Sequence, residues 1–217
     1  MRVLILRPQP GAGETAERSR AMGLEPVLAP LFTIRPIAWE RPDRGRFDAV
    51  VLTSAKAARL GGDGLTSFSD LPCYAVGERT AAEAEAAGFA DVRTGPSNGA
   101  ALAATAIAGG VTAALYFCGR DHAALGPPVV AEIPVYAAEP VGHLPEGLDY
   151  EVALLHSPRA AALFAKLIGD RSAIRIAAIS EQVAATAGGG WRSVAVADQP
   201  RDQALLELAA KLCHTGE

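Results

Sequence analysis

Ser54, Ser157 and Ser180 each stand where a short apolar run gives way to a helix-forming stretch. Arg7, Thr53, Gly77-Glu78, Gly119-Arg120 and His156 end similar runs. A serine at a helix start accepts a backbone N–H and stabilises by about 1 kcal/mol. Backbone N–H groups left free at the same place bind anions. The two uses are compatible. Arginine outnumbers lysine 17 to 3. A GC-rich genome produces that bias, and so does recognition of carboxylate or phosphate, for which the planar guanidinium fork is suited. The chemistry on offer is therefore anion binding more than nucleophilic attack. Only His156, of four histidines, ends an apolar run, and it reads as a polar cleft residue more than a base.

Three motifs invite a different reading. Gly11-Ala12-Gly13-Glu14-Thr15-Ala16 fits the GxGxxA dinucleotide fingerprint. However, Pro8 and Pro10 remove N–H groups ahead of it, and no acid for a ribose follows at Ala29-Pro30-Leu31. Gly95-Pro96-Ser97-Asn98-Gly99 fits the GxSxG nucleophile elbow, yet no acid-then-histidine order follows, and a strand-to-helix loop accounts for it. For metals there is no HExxH and no paired cysteine; Cys213-His214 lies in a tail. No metal and no cofactor is expected.

These residues need a frame. The apolar runs are Val3–Leu6, Ala49–Leu52, Tyr74–Val76, Ala114–Phe117, Val152–Leu155, Ile176–Ile179 and Val194–Ala197. Each is short and bounded by polar, Gly or Pro residues, as buried parallel strands are. Segments such as Thr80–Ala87 and Gln203–Leu212 are rich in Ala, Leu and Glu and favour helix. Alternation of this kind predicts an α/β fold with parallel sheet, whose ligands bind outside the carboxyl ends of the strands.

The chain also repeats itself. Phe47 to Ala58 overlays Tyr150 to Ala161 at an offset of 103, and Ala75-Val76-Gly77-Glu78 meets Ala178-Ile179-Ser180-Glu181 at the same offset. One residue of drift later, Pro96 meets Pro200 and Leu102 meets Leu206. Two similar units of about 100 residues are implied, arranged in tandem or interleaved. Phe32–Trp39 and Ile133–Pro140 stand outside the rhythm; both are β-prone and carry prolines, which suit edges and connectors more than central strands. They read as crossings between the units.

Composition closes off several classes. The chain has 217 residues, half of them hydrophobic and 20% charged, which excludes a disordered or fibrous chain. A net charge of −4 argues against a nucleic-acid partner. No run of 18 apolar residues spans a membrane. Three cysteines without pairing and a four-residue apolar start ending in Arg7 suit a cytoplasmic protein.

Taken together, Leu6-Arg7-Pro8, Gly23-Leu24-Glu25-Pro26-Val27, Leu52-Thr53-Ser54-Ala55, Tyr74 to Ala81, Gly119-Arg120-Asp121, Val135-Tyr136, Ser157-Pro158 and Ile179-Ser180-Glu181 resemble the uroporphyrinogen-III synthase family over nearly the whole chain. The resemblance implies two flavodoxin-like parallel-sheet domains joined by a two-stranded β ladder. Residues 1–33 plus 140–217 would form a discontinuous first domain, 39–133 the second, and 34–38 with 134–139 the linker strands. The implied reaction is cyclisation of hydroxymethylbilane, a linear tetrapyrrole with eight carboxylates, by loss of water and inversion of its last ring. The terminal hydroxyl leaves to give an azafulvene, a spiro intermediate forms, and the ring recloses turned over. By family position Tyr136 would donate the proton to the departing hydroxyl. Arg7, Thr53, Ser54, Gly77, Thr80, Arg120, Ser157, Ser180 and Gln182 would bind substrate, and the protein would act as a monomer.

Three departures stand out. Neither Gln182 nor Val183 is the Thr that many relatives carry, His156 replaces a more usual Thr, Tyr or Phe, and Gly61-Gly62-Asp63-Gly64 suggests a flexible loop. The rival readings are a non-catalytic two-domain clamp for a polyanionic small molecule and a dinucleotide-dependent enzyme resting on Gly11–Ala16.

Overall fold

In a computed structural model the chain is described over residues 1–95 and 98–214, Cys213 and His214 by their backbone alone. Pro96 and Ser97, of the repeat and of the elbow motif, lie outside the described residues. In chain order the elements are β1 (Arg2–Ile5), α1 (Gly11–Ala21), β2 (Glu25–Leu28), β3 (Phe32–Pro36), β4 (Ala49–Leu52), α2 (Ala55–Leu60), β5 (Cys73–Val76), α3 (Gly77–Ala86) and β6 (Val92–Gly95). They continue as α4 (Gly99–Ala108), β7 (Ala114–Gly119), β8 (Val129–Pro140), β9 (Val152–Leu155), α5 (Pro158–Leu167), β10 (Arg175–Ala178), α6 (Glu181–Ala187), β11 (Ser193–Val196) and α7 (Asp202–His214). All seven expected apolar runs are strands. The last helix reaches His214, so Cys213 and His214, read as part of a tail, continue it.

Local chemistry explains the boundaries. The Ser54 hydroxyl accepts from the Lys56 N–H at 3.3 Å, Ser157 from Ala160 at 3.2 Å and Ser180 from Val183 at 3.4 Å. All three serines are thus N-caps. Pro158 follows its cap at the first helical position, where a missing N–H costs nothing.

The chain divides into two compact units, Met1–Thr33 with the residues from Glu139 onward, and Ile34–Ala138. The first unit holds an all-parallel sheet in the order β2-β1-β9-β10-β11. One face carries α1 and α7 over Val3, Ile5, Val152 and Leu154, which meet Leu205 and Leu206; α5 and α6 pack against each other and against β9 and β10. The second unit holds a sheet in the order β3-β8-β7-β4-β5-β6. There α2 and α3 pack together over Val50, Leu52, Phe68 and Phe117, whereas α4 alone covers Ala49, Val51 and Tyr74 on the other face.

Without the edge strand β3, the second order is β8-β7-β4-β5-β6, and it superimposes on β2-β1-β9-β10-β11. The offset of 103 pairs β4 with β9 and β5 with β10. The two units therefore share one topology entered at different points of the chain. They differ in one connection: β1 reaches β2 through α1, whereas β7 reaches its parallel neighbour β8 through residues 120–128 alone. Parallel pairs ordinarily need a crossover of a dozen or more residues, usually helical.

Two expectations are corrected. The proline-marked segment Ile133–Pro140 is not an edge, because β8 lies between β3 and β7, with Pro134 opposite Cys118. A register irregularity directly after that pair lets the strand accommodate the proline. The glycine-rich segment after α2 is not a loose loop. Asp63–Phe68 form a 3₁₀ helix, Leu65 and Phe68 are buried, and the Trp39 indole N–H donates to the Gly61 carbonyl at 2.8 Å. Gly64 has no side chain because the Trp39 ring lies where one would project.

Candidate functional site

At the carboxyl ends of β4 and β7 the second unit opens a pocket of about 220 Å³, lined by Thr53, Gly99, Tyr116, Gly119, Asp121, His122, Ala123, Leu125 and Tyr136. The short β7–β8 crossover supplies Asp121 to Leu125. Leu125 closes over the first residue of α4; a Cβ on Gly99 would stand 2.4 Å from its side chain. The same end of α4 is capped by Asn98, which accepts from the Ala101 N–H at 2.8 Å.

Tyr136 reaches the pocket through a strand irregularity. Cys118 faces Pro134 across the β7–β8 pair, yet Gly119 faces Tyr136, so Val135 is skipped. The phenol ring then lies over Gly119, where a Cβ would come within 2.7 Å of Cζ and 3.0 Å of the hydroxyl oxygen. Only glycine leaves room for the ring. The Arg120 N–H donates to the Tyr136 carbonyl at 2.8 Å, locking the backbone at the same point.

Two further groups face the pocket. The Thr53 and Tyr116 hydroxyls share a hydrogen bond of 2.6 Å. Burial pushes the Tyr116 phenol above its usual range, although the Thr53 bond opposes this. His122 sits between two acceptors, with Nδ1 2.9 Å from the Gly119 carbonyl and Nε2 2.8 Å from Glu132 Oε2. Both ring nitrogens can donate at once only in the imidazolium. Consistently, the hydrogen bond to Glu132 raises the His122 pKa, against a smaller opposing effect of burial. The Cys118 thiol is buried and pushed up to about 12 by desolvation, then by Glu132, so it offers no thiolate nucleophile.

The corresponding place in the first unit is filled. His156, the counterpart of Thr53, follows β9; by the strand registers Arg7, just past β1, corresponds to Cys118 near the end of β7. Both converge on Asp202, which opens α7. Asp202 Oδ1 accepts from His156 Nε2 at 2.7 Å and from the Thr15 hydroxyl at 2.9 Å, with the Arg7 guanidinium at 3.5 Å. Arg18 donates to Oδ2. Burial raises the Asp202 pKa, but hydrogen bonds from His156, Thr15 and Arg18 outweigh it and hold the carboxyl well below the usual range.

Gly11 explains the fingerprint-like glycines. A Cβ there would lie 2.5 Å from Arg7 Nε, so the glycine makes room for the guanidinium, and the Gly13 N–H is taken by the Gln9 side chain. Among the described residues no cluster of three or more His, Cys, Asp or Glu could hold a metal.

Of the residues singled out from sequence, Thr53 and Tyr136 meet in the pocket. Ser54 adjoins it as a cap. Thr80 is buried on α3, and Gly77 turns the chain from β5 into α3 with φ +69°. The Arg120 side chain is exposed. Arg7, Ser157, Ser180 and the exposed Gln182 belong to the other unit. His156 is not a cleft residue: its side chain is 9% exposed and its Nε2 is spent on Asp202. Tyr116, His122, Glu132 and Asp202 escaped the sequence reading. The pairings Thr53–Tyr116 and His156–Asp202 span 63 and 46 residues, and only the repeat, which sets His156 against Thr53, hinted at them.

Two α/β units of one topology, one with a pocket at the ends of β4 and β7 and the other with an ion cluster at the ends of β1 and β9, define a two-domain α/β protein with a candidate small-molecule site. A family model described as uroporphyrinogen-III synthase HemD matches residues 13–207, and the chain belongs to that family. It is a cyclising lyase of porphyrin and heme biosynthesis that converts hydroxymethylbilane to uroporphyrinogen III. The fold is similar to that of the uroporphyrinogen-III synthetase from Helicobacter pylori 26695, at 18% identity and TM-score 0.67 over 98% of this chain and 100% of that one. A mutant uroporphyrinogen III synthase from the extremely thermophilic bacterium Thermus thermophilus gives 14% identity and TM-score 0.53 over 99% of each chain. No curated protein matches. No described helix is long and apolar enough to cross a membrane.

Proposed function

We propose that Tyr136 is the acid of the ring closure, donating its phenolic proton to the terminal hydroxyl of hydroxymethylbilane as water departs. The carrying observation is its ring over Gly119, in the wall of a pocket shared with Thr53, Tyr116 and His122. At about 220 Å³ the pocket is below the ~300–1,000 Å³ usual for a whole drug-sized ligand. It therefore takes one end of the linear tetrapyrrole, and the rest lies outside. The hydroxyl of the hydroxymethyl carbon takes the Tyr136 proton and leaves as water. The proton released when the last ring regains aromaticity returns to the phenolate, so the closure loses one water overall. A phenol is a weak acid, but the leaving group departs readily to a stabilised azafulvene, so modest assistance suffices.

The remaining contacts are to carboxylates. Thr53 offers its hydroxyl, Ser54, Ser157 and Ser180 mark helix starts, Gly77 offers backbone, and Arg120 and Gln182 project exposed side chains. Arg7 and Thr80 act structurally, since one is turned onto Asp202 and the other is buried. In this reading the protein works as a cytoplasmic monomer, and its net charge of −4 speaks against a nucleic-acid partner.

Gly119→Ala tests the Tyr136 reading by displacing the ring and keeping the hydroxyl. A methyl 2.7 Å from Cζ forces the phenol to move, and kcat should fall by on the order of 10-fold or more. An unchanged kcat would show that the ring's placement is immaterial. The reaction needs only proton movements, so activity should also survive exhaustive chelation and dialysis. A loss restored by added metal or nucleotide would contradict that.

A further inference from the structure

We infer that His122 is a positioning residue for Tyr136: clamped between Glu132 and the Gly119 carbonyl, it fixes the turn on which the phenol rests. The inference builds on the reading of Tyr136 as the acid. In the first unit α1 follows β1 after residues 6–10 and packs against that strand. In the second unit nothing helical follows β7, and residues 120–128 must cross to β8 unaided. A strand end without its helix lacks the packing that would hold the next residue.

His122 replaces that support. Its Nδ1–H donates to the Gly119 carbonyl at 2.9 Å, its Nε2–H donates to Glu132 at 2.8 Å, and its ring stands edge-on to Tyr116 with centroids 5.6 Å apart. Glu132 and Tyr136 are on the same strand, so the bridge Glu132–His122–Gly119 ties β8 back to the glycine under the Tyr136 ring. Both bonds exist together only while the imidazole is protonated. Deprotonation leaves one ring nitrogen facing an acceptor with a lone pair, and the turn loses one tie.

The charged and titratable groups around His122 are Glu132 and Tyr136 from β8, Tyr116 and Cys118 from β7, and Arg120 and Asp121 from the crossover. Glu132 makes the direct bond to the ring and favours the charged form. The folded pKa is thus raised, so the clamp is complete at low pH and is lost as pH rises through that value. Turnover should therefore show an alkaline limb that reports His122.

The test measures kcat and KM for hydroxymethylbilane from about pH 6 to 9 in the wild type, His122→Gln, Glu132→Gln, Tyr136→Phe and His122→Gln with Tyr136→Phe. His122→Gln should lower kcat on the order of tenfold at neutral pH, leave KM within about twofold, and abolish the alkaline limb. Glu132→Gln should keep the limb but move it toward acid, an outcome a purely structural histidine would not give. The double variant should be no slower than Tyr136→Phe alone, because the histidine acts through the phenol. If His122→Gln folds poorly, the limb displacement in Glu132→Gln decides by itself. A slow Tyr136→Phe beside unaltered His122→Gln and Glu132→Gln would overturn this inference alone. A normal rate in Tyr136→Phe would overturn the reading of Tyr136 as the acid.

Discussion

Tyr136→Phe should lower kcat by about 10²-fold or more, the usual contribution of a positioned general acid. KM should stay within about twofold, because the ring remains over Gly119 and only the hydroxyl goes. The product should also change. Hydroxymethylbilane closes without help to the isomer whose last ring is not inverted, so a slowed enzyme loses substrate to that route and the uninverted isomer should rise in proportion. Thr53→Ala makes the contrast. It removes a hydroxyl bonded to Tyr116 at 2.6 Å, and should raise KM severalfold with little change in kcat, since neighbouring backbone N–H groups still hold a carboxylate. The two variants together separate proton donation from binding. Near-normal turnover by Tyr136→Phe, with the loss appearing in thermal stability instead, would make the tyrosine a packing residue.

The strands were legible because both sheets are buried and parallel. A four-residue apolar run such as Val152–Leu155, fully buried in the structure, has no other economical place in a domain. The three serine caps were legible for a similarly local reason, a hydroxyl at the junction of a strand and an alanine-rich helix. The pocket was not legible in the same way. Tyr116 read as one of four apolar residues in a strand, and nothing local marks its hydroxyl as the partner of Thr53. His122 lies in a stretch with no apolar period at all, Arg120 to Pro128, so its role depends on a helix that is absent. The repeat pointed in the right direction. By setting His156 against Thr53 it marked one position in two units, although it could not say that one would join an ion cluster and the other line a pocket. Chemistry of side chains makes that difference: Arg7 and His156 converge on the Asp202 carboxylate, whereas their counterparts Cys118 and Thr53 bring no charge, and Thr53 lines a pocket.

Asp202→Ala should produce the largest loss of stability in the molecule outside the apolar core. The carboxylate is 14% exposed and receives His156, Thr15, Arg7 and Arg18, so it joins β1, α1, β9 and α7. Removing it strands several donors and leaves cations facing one another. Breaking a buried pair costs about 3–5 kcal/mol; Arg7 and Arg18 are 31% and 44% exposed, and water recovers part of their share, so about 2–3 kcal/mol is expected. For a chain of this size that lowers Tm by roughly 4–12 °C. The pH dependence carries the sign of a depressed carboxyl. The stabilisation is complete above the unfolded value of about 3.9 and is lost progressively as pH falls through it toward the folded value. The gap between wild type and Asp202→Ala in urea midpoint should therefore be constant from about pH 5 to 7 and narrow below about pH 4. A gap that is small at neutral pH, or that widens in acid, would show the cluster to be a surface ornament. Arg7 would then be available to a substrate carboxylate.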